Sequence, residues 1–407
     1  MTSPRPHDRA HDVVVHGATG FVGRLTAAYL ARSAPDGTRL ALSGRSRSRL
    51  EAVKTELGLD WPVLVVDSSD DAALRELATS TTAVATTVGP YAKHGLPLVA
   101  ACAAAGTHYA DLTGEALFVR DAIDASHDAA VASGARIVAS CGFDSVPSDL
   151  GVLLTAEAAR RDGSGELTDT TLVLVSARGG VSGGTVDSLR GMVDAVTADK
   201  TKRMTVADPY SLSPDRAAEP DLGRQSDATT ISRVDGRWVG PFVMAPHNTR
   251  IVRRSNALQG WAYGRTFRYR EVMGFGSSPA GPVLAAAAGV GILGVGAGLA
   301  IRPTRVLLDR LLPKPGEGPS EKTQRDGHFH VEVVASTTSG ARYRTTVKAK
   351  GDPGYAATAV MLGESALCLA LDPLTSGGGV LTPAVAMGGA LVDRLRAAGF
   401  TITTERL

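Results

Sequence analysis

Along the first 150 residues, apolar positions gather in short runs separated by stretches of helical periodicity. Val13–Val15, Arg39–Ser43, Trp61–Val66, Ala83–Val88, Thr107–Leu112 and Arg136–Ser140 read as strands buried on both faces. Helical spacing follows over Phe21–Ala31, Leu96–Gly106 and Phe118–Ser133, and Asp67-Ser68-Ser69-Asp70 opens another helix. Strands alternating with helices in this way predict a parallel sheet covered on both sides. A helical pattern continues past Leu150 to about Arg160, and then the texture changes. Thr170–Ala177, Arg237–Met244, Arg265–Gly274, His328–Thr338 and Ala341–Lys350 read as strands of a mostly antiparallel sheet. Helices are expected over Thr185–Ala198, Tyr355–Leu371 and Ala384–Ala398. Residues 199–230 read as loop, Gly179–Gly184 as a glycine loop, and Leu312–Gly327 as a linker. The expected divisions are a disordered lead-in over 1–12, a first domain over 13–150, a second over 151–374, and a C-terminal segment over 375–407.

One run breaks the pattern. Ala280 to Ile301 is apolar for 22 residues, with Arg302, Arg305 and Arg310 just beyond. It is long enough to cross a bilayer as a helix, yet rich in Ala and Gly, which are weakly hydrophobic. Three uses compete: contact with a lipid surface, a true span, or a buried or dimer-forming helix.

The chain has 407 residues, 43% hydrophobic and 21% charged, which fits a globular protein of two domains. A net charge of +2 argues against nucleic acid as a partner. The three cysteines, Cys102, Cys141 and Cys368, form no C-x-x-C pair, so neither a disulfide framework nor a metal site is expected. The lead-in lacks a signal peptide's apolar core. A cytoplasmic protein is expected, and whether it is also peripheral to the plasma membrane or anchored in it through 280–301 stays open.

The chemistry centres on HDVVVHGATGFVG, residues 11–23. A strand runs into Gly17, Gly20 and Gly23 and then a helix, with Ala18, Thr19, Phe21 and Val22 between them. This is the phosphate cradle of a Rossmann-type dinucleotide fold, in which backbone and helix N–H groups face a pyrophosphate. The fold class is thus α/β, a Rossmann-type parallel sheet with a second α+β domain. Where NAD would need an acid, about twenty residues past the glycines, Ser43 stands instead. Gly44, Arg45 and Ser46 follow, with Arg47 and Arg49 nearby. Donors there favour the 2′-phosphate of NADP, with Arg45 as its principal partner. Asp67 either lies beside the adenine or caps the next helix.

Val88, Gly89, Pro90 and Tyr91 end the fourth strand, where the nicotinamide of such folds lies. Cys141–Asp149, CGFDSVPSD, is a loop at another strand end. Tyr91 is the candidate donor to a substrate carbonyl or of a proton, although a packed tyrosine would explain it equally well. Asp144 is the candidate to position water or the cofactor amide. Cys141 is more often a buried thiol, and Asp111, Thr113 and Glu115 fix a loop rather than react. No Tyr-x-x-x-Lys pair occurs, which separates the chain from short-chain dehydrogenases.

The segments VVVHGATGFVG, LALSGR, TTVGPYAKHGLPLVAACAAAGTHYADLTGE and SCGFDSVPSDLG, with SGGTVDS, VRRSNAL, GDPGYAATAVML and GGGVLTPAVAMG further on, carry a resemblance. The chain resembles the saccharopine dehydrogenase-like oxidoreductases and, within them, the trans-acting enoyl reductases of actinobacterial lipid biosynthesis. The resemblance implies NADPH, a saccharopine-reductase-like second domain, and a C-terminal segment that returns to the first. It also implies reduction of lipid or polyketide enoyl intermediates in glycolipid assembly. Whether the acyl group is carrier-bound and whether the chain forms a homodimer stay open. Two alternatives stand beside this: a dehydrogenase of an amino-acid adduct, and a non-catalytic NADP-binding protein at a membrane.

Overall fold

The structure, a computed structural model, describes residues 9–179, 183–223, 231–300, 303–305, 318 and 320–407. The strands are β1 (His11–His16), β2 (Leu40–Gly44), β3 (Val63–Val65), β4 (Thr81–Thr86), β5 (His108–Ala110), β6 (Arg136–Val138), β7 (Leu167–Arg178), β8 (Ser232–Val234), β9 (Arg237–Pro241), β10 (Arg268–Gly274), β11 (His328–Thr337), β12 (Arg342–Lys350), β13 (Gly379–Leu381) and β14 (Thr401–Arg406). The helices are α1 (Phe21–Ser33), α2 (Arg47–Glu56), α3 (Asp71–Ser80), α4 (Tyr91–Ala105), α5 (Ala116–Ser133), α6 (Val146–Arg161), α7 (Gly183–Ala198), α8 (Lys200–Ala207), α9 (Ala245–Leu258), α10 (Gly281–Ala300), α11 (Glu321–Asp326), α12 (Ala356–Leu371), α13 (Pro383–Ala386) and α14 (Gly388–Ala397).

Two seven-stranded sheets form the frame. The first runs β3-β2-β1-β4-β5-β6-β13 and is parallel throughout. Its central strands are buried on both faces, as their unbroken apolar runs require. The second runs β14-β12-β11-β7-β10-β9-β8, antiparallel except for the β7–β10 pair. This is the α/β class expected. One core joins the two sheets through α6, where a Cβ at Gly151 would lie 2.9 Å from Val333 of β11. Helix α12 covers the parallel sheet and packs on α1, its Gly363 admitting the Tyr29 ring.

Several expectations need correcting. Residues 9–12 are not a loose lead-in. Arg9 is buried, donates to the carbonyls of Thr81 and Ala105, and reaches the Thr107 hydroxyl, while β1 already begins at His11. Residues 1–8 lie outside those described. Helix α4 starts at Tyr91, not Leu96, and carries Pro97 inside it. Part of the loop predicted over 199–230 is helix α8, and 224–230 lie outside the described residues, as do 180–182 of the glycine loop and 312–317 and 319 of the predicted linker, whose later part is helix α11. The C-terminal segment does return to the first sheet, where β13 pairs with β6, and it then runs on to the second, where β14 pairs with β12.

The largest omission is α9, APHNTRIVRRSNAL, which is almost entirely buried although it is mostly polar. Arg254 donates to the Leu212 and Val380 carbonyls at 2.6 and 2.5 Å, Arg253 to the Tyr269 carbonyl at 2.9 Å, and Asn248 to Glu271 at 2.8 Å. Burial draws the Arg254 guanidinium down to about 9. Ser255 donates to Asp149, whose carboxyl burial pushes up to about 7. A buried charge held by carbonyls is costly to strip of its partners, so α9 fixes the surrounding loops by hydrogen bonding rather than by an apolar face.

Candidate functional site

Each cradle glycine has its own reason. Gly17 ends β1 with φ +87, a conformation that disfavours a side chain, and a Cβ there would meet Thr87 and Val88 at 2.8 Å. Gly20 precedes α1 with no side-chain cap, so the N–H groups of Phe21, Val22 and Gly23 in the first turn lack an intrahelical acceptor. A Cβ at Gly23 would lie 2.2 Å from the Gly17 carbonyl oxygen, so helix and turn touch without an intervening atom. Thr87 Oγ1 donates to that same carbonyl at 3.1 Å. Ala18 N bonds the Ser43 carbonyl, which ties the turn to β2, and Thr19 stands at its tip. Uncapped N–H groups at a helix start and a surface stripped of side chains fit a pyrophosphate.

Beside the cradle, Gly44 closes β2, Arg45 is exposed, and Ser46 stands at the N-cap of α2 without capping it. Asp67 lies across from them. It accepts from the Ser69 backbone and hydroxyl at 2.9 and 2.7 Å, which holds its carboxyl below the usual range, helped by the charges of Arg45 and His94. The true cap of α3 is Asp70, which accepts from Ala72 and Ala73 N at 3.0 Å, so Asp67 is free of that task. The sequence reading passed over His16. Its Nδ1 lies 3.0 Å from Ser43 Oγ and its Nε2 3.3 Å from Ser68 Oγ, joining the ends of three strands, and burial draws it down to about 4. It is neutral at physiological pH. A polar residue closing an apolar strand was the available signal.

The loops expected to form the reacting face follow β4, β5 and β6. Val88, Gly89 and Pro90 lead from β4 to α4, with Val88 against the Gly17 turn. The sequence directed Tyr91 toward the reaction, and the fold turns it away. Its hydroxyl donates to the Thr86 carbonyl and accepts from Leu112 N, both at 3.1 Å, and its ring packs on Phe118. Burial raises the phenol well above its ordinary range. Tyr91 is therefore a brace between β4 and the loop after β5. Glu115 caps α4 through Tyr91 N and Ala92 N at 3.0 and 2.9 Å. Asp111 accepts from Thr113 N, Ser140 N and the Tyr109 hydroxyl, and burial pushes it up to about 6. These acids fix the loop, and Cys141 is a buried thiol.

Asp144 is different. It is half-buried and makes no hydrogen bond among the described residues. Burial alone pushes its carboxyl up to about 6. Its Oδ2 lies 4.0 Å, and Met244 Cε 3.3 Å, from where a Cβ of Gly114 would stand, so Gly114 leaves open the space before it. Nearby, Ser140 holds φ +64 and donates to the Thr113 carbonyl at 2.7 Å. His247 of α9 must then donate from Nε2 to Ser140 Oγ at 2.8 Å, leaving Nδ1 buried without a partner among the described residues. Burial draws this ring down to about 3, so it stays neutral. Among the described residues, no three His, Cys, Asp or Glu side chains converge as metal ligands.

Comparison with known proteins agrees with this geometry. Residues 13–138 match the saccharopine dehydrogenase NADP binding domain. A trans-acting enoyl reductase of Mycobacterium tuberculosis is 50% identical over 99% of both chains. The chain belongs to the trans-acting enoyl reductase family. A relative of the same name from Mycobacterium ulcerans is 49% identical over 98% of this chain and 99% of its own. Among solved structures, saccharopine dehydrogenase of Saccharomyces cerevisiae superposes with a TM-score of 0.54 at 13% identity, covering 97% of this chain and 99% of that one, a likeness of fold. The protein is an NADP-dependent oxidoreductase built on the saccharopine dehydrogenase plan.

The residues that would hold NADP are those of the cradle and of the β2 edge. Arg45→Ala should weaken NADPH binding by about 10- to 100-fold, the scale of a charge-assisted contact, with NADH little changed. Titration of both cofactors by fluorescence checks this, and equal losses would remove Arg45 from the 2′-phosphate site.

Proposed function

We propose that this protein is a trans-acting enoyl reductase, using NADPH to saturate the double bond of a lipid or polyketide acyl intermediate carried by another protein or lipid, in lipid and glycolipid assembly. The observation that carries the chemistry is the half-buried Asp144 carboxyl at the strand ends, which meets no partner among the described residues. Bound NADPH supplies a hydride, two electrons, to the β-carbon of the enoyl group. Charge then develops on the acyl carbonyl, and the α-carbon needs a proton. Asp144, poised near neutrality by burial, gives that proton to the α-carbon, directly or through one water, and recovers it from solvent. Tyr91, Glu115, Asp111 and Ser140 hold the surrounding loops still. The direct test supplies the purified protein with NADPH and an enoyl thioester, free or carrier-bound. NADPH loss with formation of the saturated acyl product is expected. Tight NADPH binding without reduction of any enoyl acceptor would defeat the proposal.

The acyl reading extends to a lipid surface through α10. This helix is packed the reverse of a core helix. Its small residues face inward, Gly281 against Trp238, Ala285 against Gly240 and Gly289 against Pro241. Four bulky residues face out, with Val283 69%, Val290 71% and Leu293 69% exposed and Leu284 beside them, while Leu299 near its end is buried. Among the described residues it is the helix long and apolar enough to cross a membrane. Covering these four side chains is worth about 4–8 kcal/mol. A hydrocarbon surface covers the outward side of the helix, and of the arginines that follow it in sequence Arg305 pairs with Asp194, leaving Arg302 and Arg310 to suit anionic headgroups. Leu284→Gln/Leu293→Gln should abolish flotation with phospholipid vesicles. A wild-type protein that fails to float and sediments as a dimer dissociated by this pair of substitutions would assign α10 to a subunit interface instead.

A further inference from the structure

On the outer face of the second sheet lies a cleft that the reduction chemistry does not use. We propose that it binds the phosphate of an anionic phospholipid headgroup, an inference that rests on the membrane contact of α10. The β8–β9 hairpin, closed by Asp235 (φ +46) and Gly236 (φ +78), folds across that face as a strap. Asp235 is pinned to β12 by Arg342 and Arg344, at 2.5 and 3.0 Å, and Arg237 to Glu332 of β11 at 2.7 Å. Beneath the strap remains a cavity of about 220 Å³, lined by Arg233, Arg270, Arg342, Thr171 and Ser336 and by two carboxylates, Asp169 and the Asp235 already paired with Arg342 and Arg344.

Two of its guanidiniums meet no carboxylate among the described residues. Arg270 donates to Thr171 Oγ1 at 3.1 Å and Ser232 Oγ at 3.4 Å, which leaves both hydroxyl protons free to donate in turn. Arg233 stacks over Trp238 with its guanidinium carbon 4.4 Å from the ring centre. Two forked cations with hydroxyl donors beside them match a tetrahedral oxyanion. The source of that oxyanion follows from what stands next to the cleft. A Cβ at Gly281, the first residue of α10, would lie 2.5 Å from the Trp238 ring that Arg233 covers. The apolar helix thus begins against the wall of the cation cleft. A helix lying in the acyl layer would bring the cleft to headgroup depth, with an amphipathic Trp between them.

The test is flotation with phosphatidylcholine vesicles, with and without phosphatidylglycerol, alongside glycerol 3-phosphate as a soluble probe read by thermal shift. Wild type should prefer the anionic vesicles by about 10- to 30-fold. Arg233→Gln/Arg270→Gln should fall to the phosphatidylcholine level on both and lose the thermal shift. Arg32→Gln/Arg161→Gln, an equal loss of charge at exposed positions elsewhere, should keep both. A cleft variant that retains the anionic preference overturns the proposal while leaving the α10 contact standing. A wild type that floats with neither vesicle overturns the membrane reading and the headgroup assignment together. In that case an arginine-dependent shift with glycerol 3-phosphate identifies a soluble phosphate ester as the ligand.

Discussion

Asp144→Asn is expected to lower kcat for enoyl reduction by about 10²- to 10⁴-fold, the usual worth of a positioned proton donor. NADPH affinity should stay nearly unchanged. Asn keeps the size and the polar edge of the carboxyl and loses only the transferable proton. Since Asp144 makes no hydrogen bond among the described residues, no internal bond is broken with it. The pH profile separates chemistry from shape. Burial pushes the carboxyl up to about 6, so its acid form prevails below that pH and declines above it. Wild-type kcat should therefore fall with unit slope as pH rises past about 6, while the variant's residual rate should be flat across the same range. The sign carries over to stability. A folded-state carboxyl raised above its unfolded value binds its proton more readily in the fold, so its stabilising part is complete below about pH 4. That part is lost as pH climbs through 6. Turnover by the Asn variant at the wild-type rate would remove Asp144 from the reaction.

Gly23→Ala should be the most damaging change in the cofactor domain. The added Cβ would lie 2.2 Å from the Gly17 carbonyl oxygen, 2.8 Å from Thr87 Oγ1 and 2.9 Å from Ala18 Cα. Two of these are backbone atoms at the end of a central buried strand, so α1 must move as a whole. A cost of about 1–3 kcal/mol in stability is expected, as for overpacking elsewhere. NADPH affinity should fall by about 100-fold or more, because the first-turn N–H groups move off the pyrophosphate. Gly20→Ala makes the contrast, since its nearest neighbour would be the same oxygen at 3.3 Å. That variant should fold nearly as well and lose affinity mainly by crowding the ligand. Calorimetry for stability and fluorescence titration for NADPH check both. Equal thermal losses for the two would contradict the close-packing role of Gly23.

What could be foreseen from sequence follows a physical divide. The strands at Val13–Val15 and Ala83–Val88 declare themselves because parallel strands are apolar throughout, and the cradle glycines because they sit between a strand and a helix. The missing acid after β2 pointed to NADP for the same local reason. Long-range partners are invisible in this way. Tyr91 carries no mark that its hydroxyl reaches Thr86 and Leu112. Gly95 and Pro97 disguise the first turns of α4, although a Cβ at Gly95 would lie 2.6 Å from Phe118, so the glycine serves packing. Helix α9 escaped because many of its buried side chains are polar, with Asn248 held by Glu271 and Arg254 by the distant Leu212 and Val380 carbonyls. Hydropathy cannot report a helix whose interior is polar. His247, which brings α9 to the reacting face, was lost with it.

The placement of β13 and β14 bears on how the protein is made. Each stands at an edge of a different sheet, and both lie beyond Gly378. While a ribosome is still translating the preceding residues, the dinucleotide half lacks its seventh strand, and Arg254 lacks the Val380 carbonyl it donates to. Domains commonly settle one after another during synthesis. Each half therefore gains its seventh strand only after Gly378 has been made, so both sheets reach their full width late in synthesis.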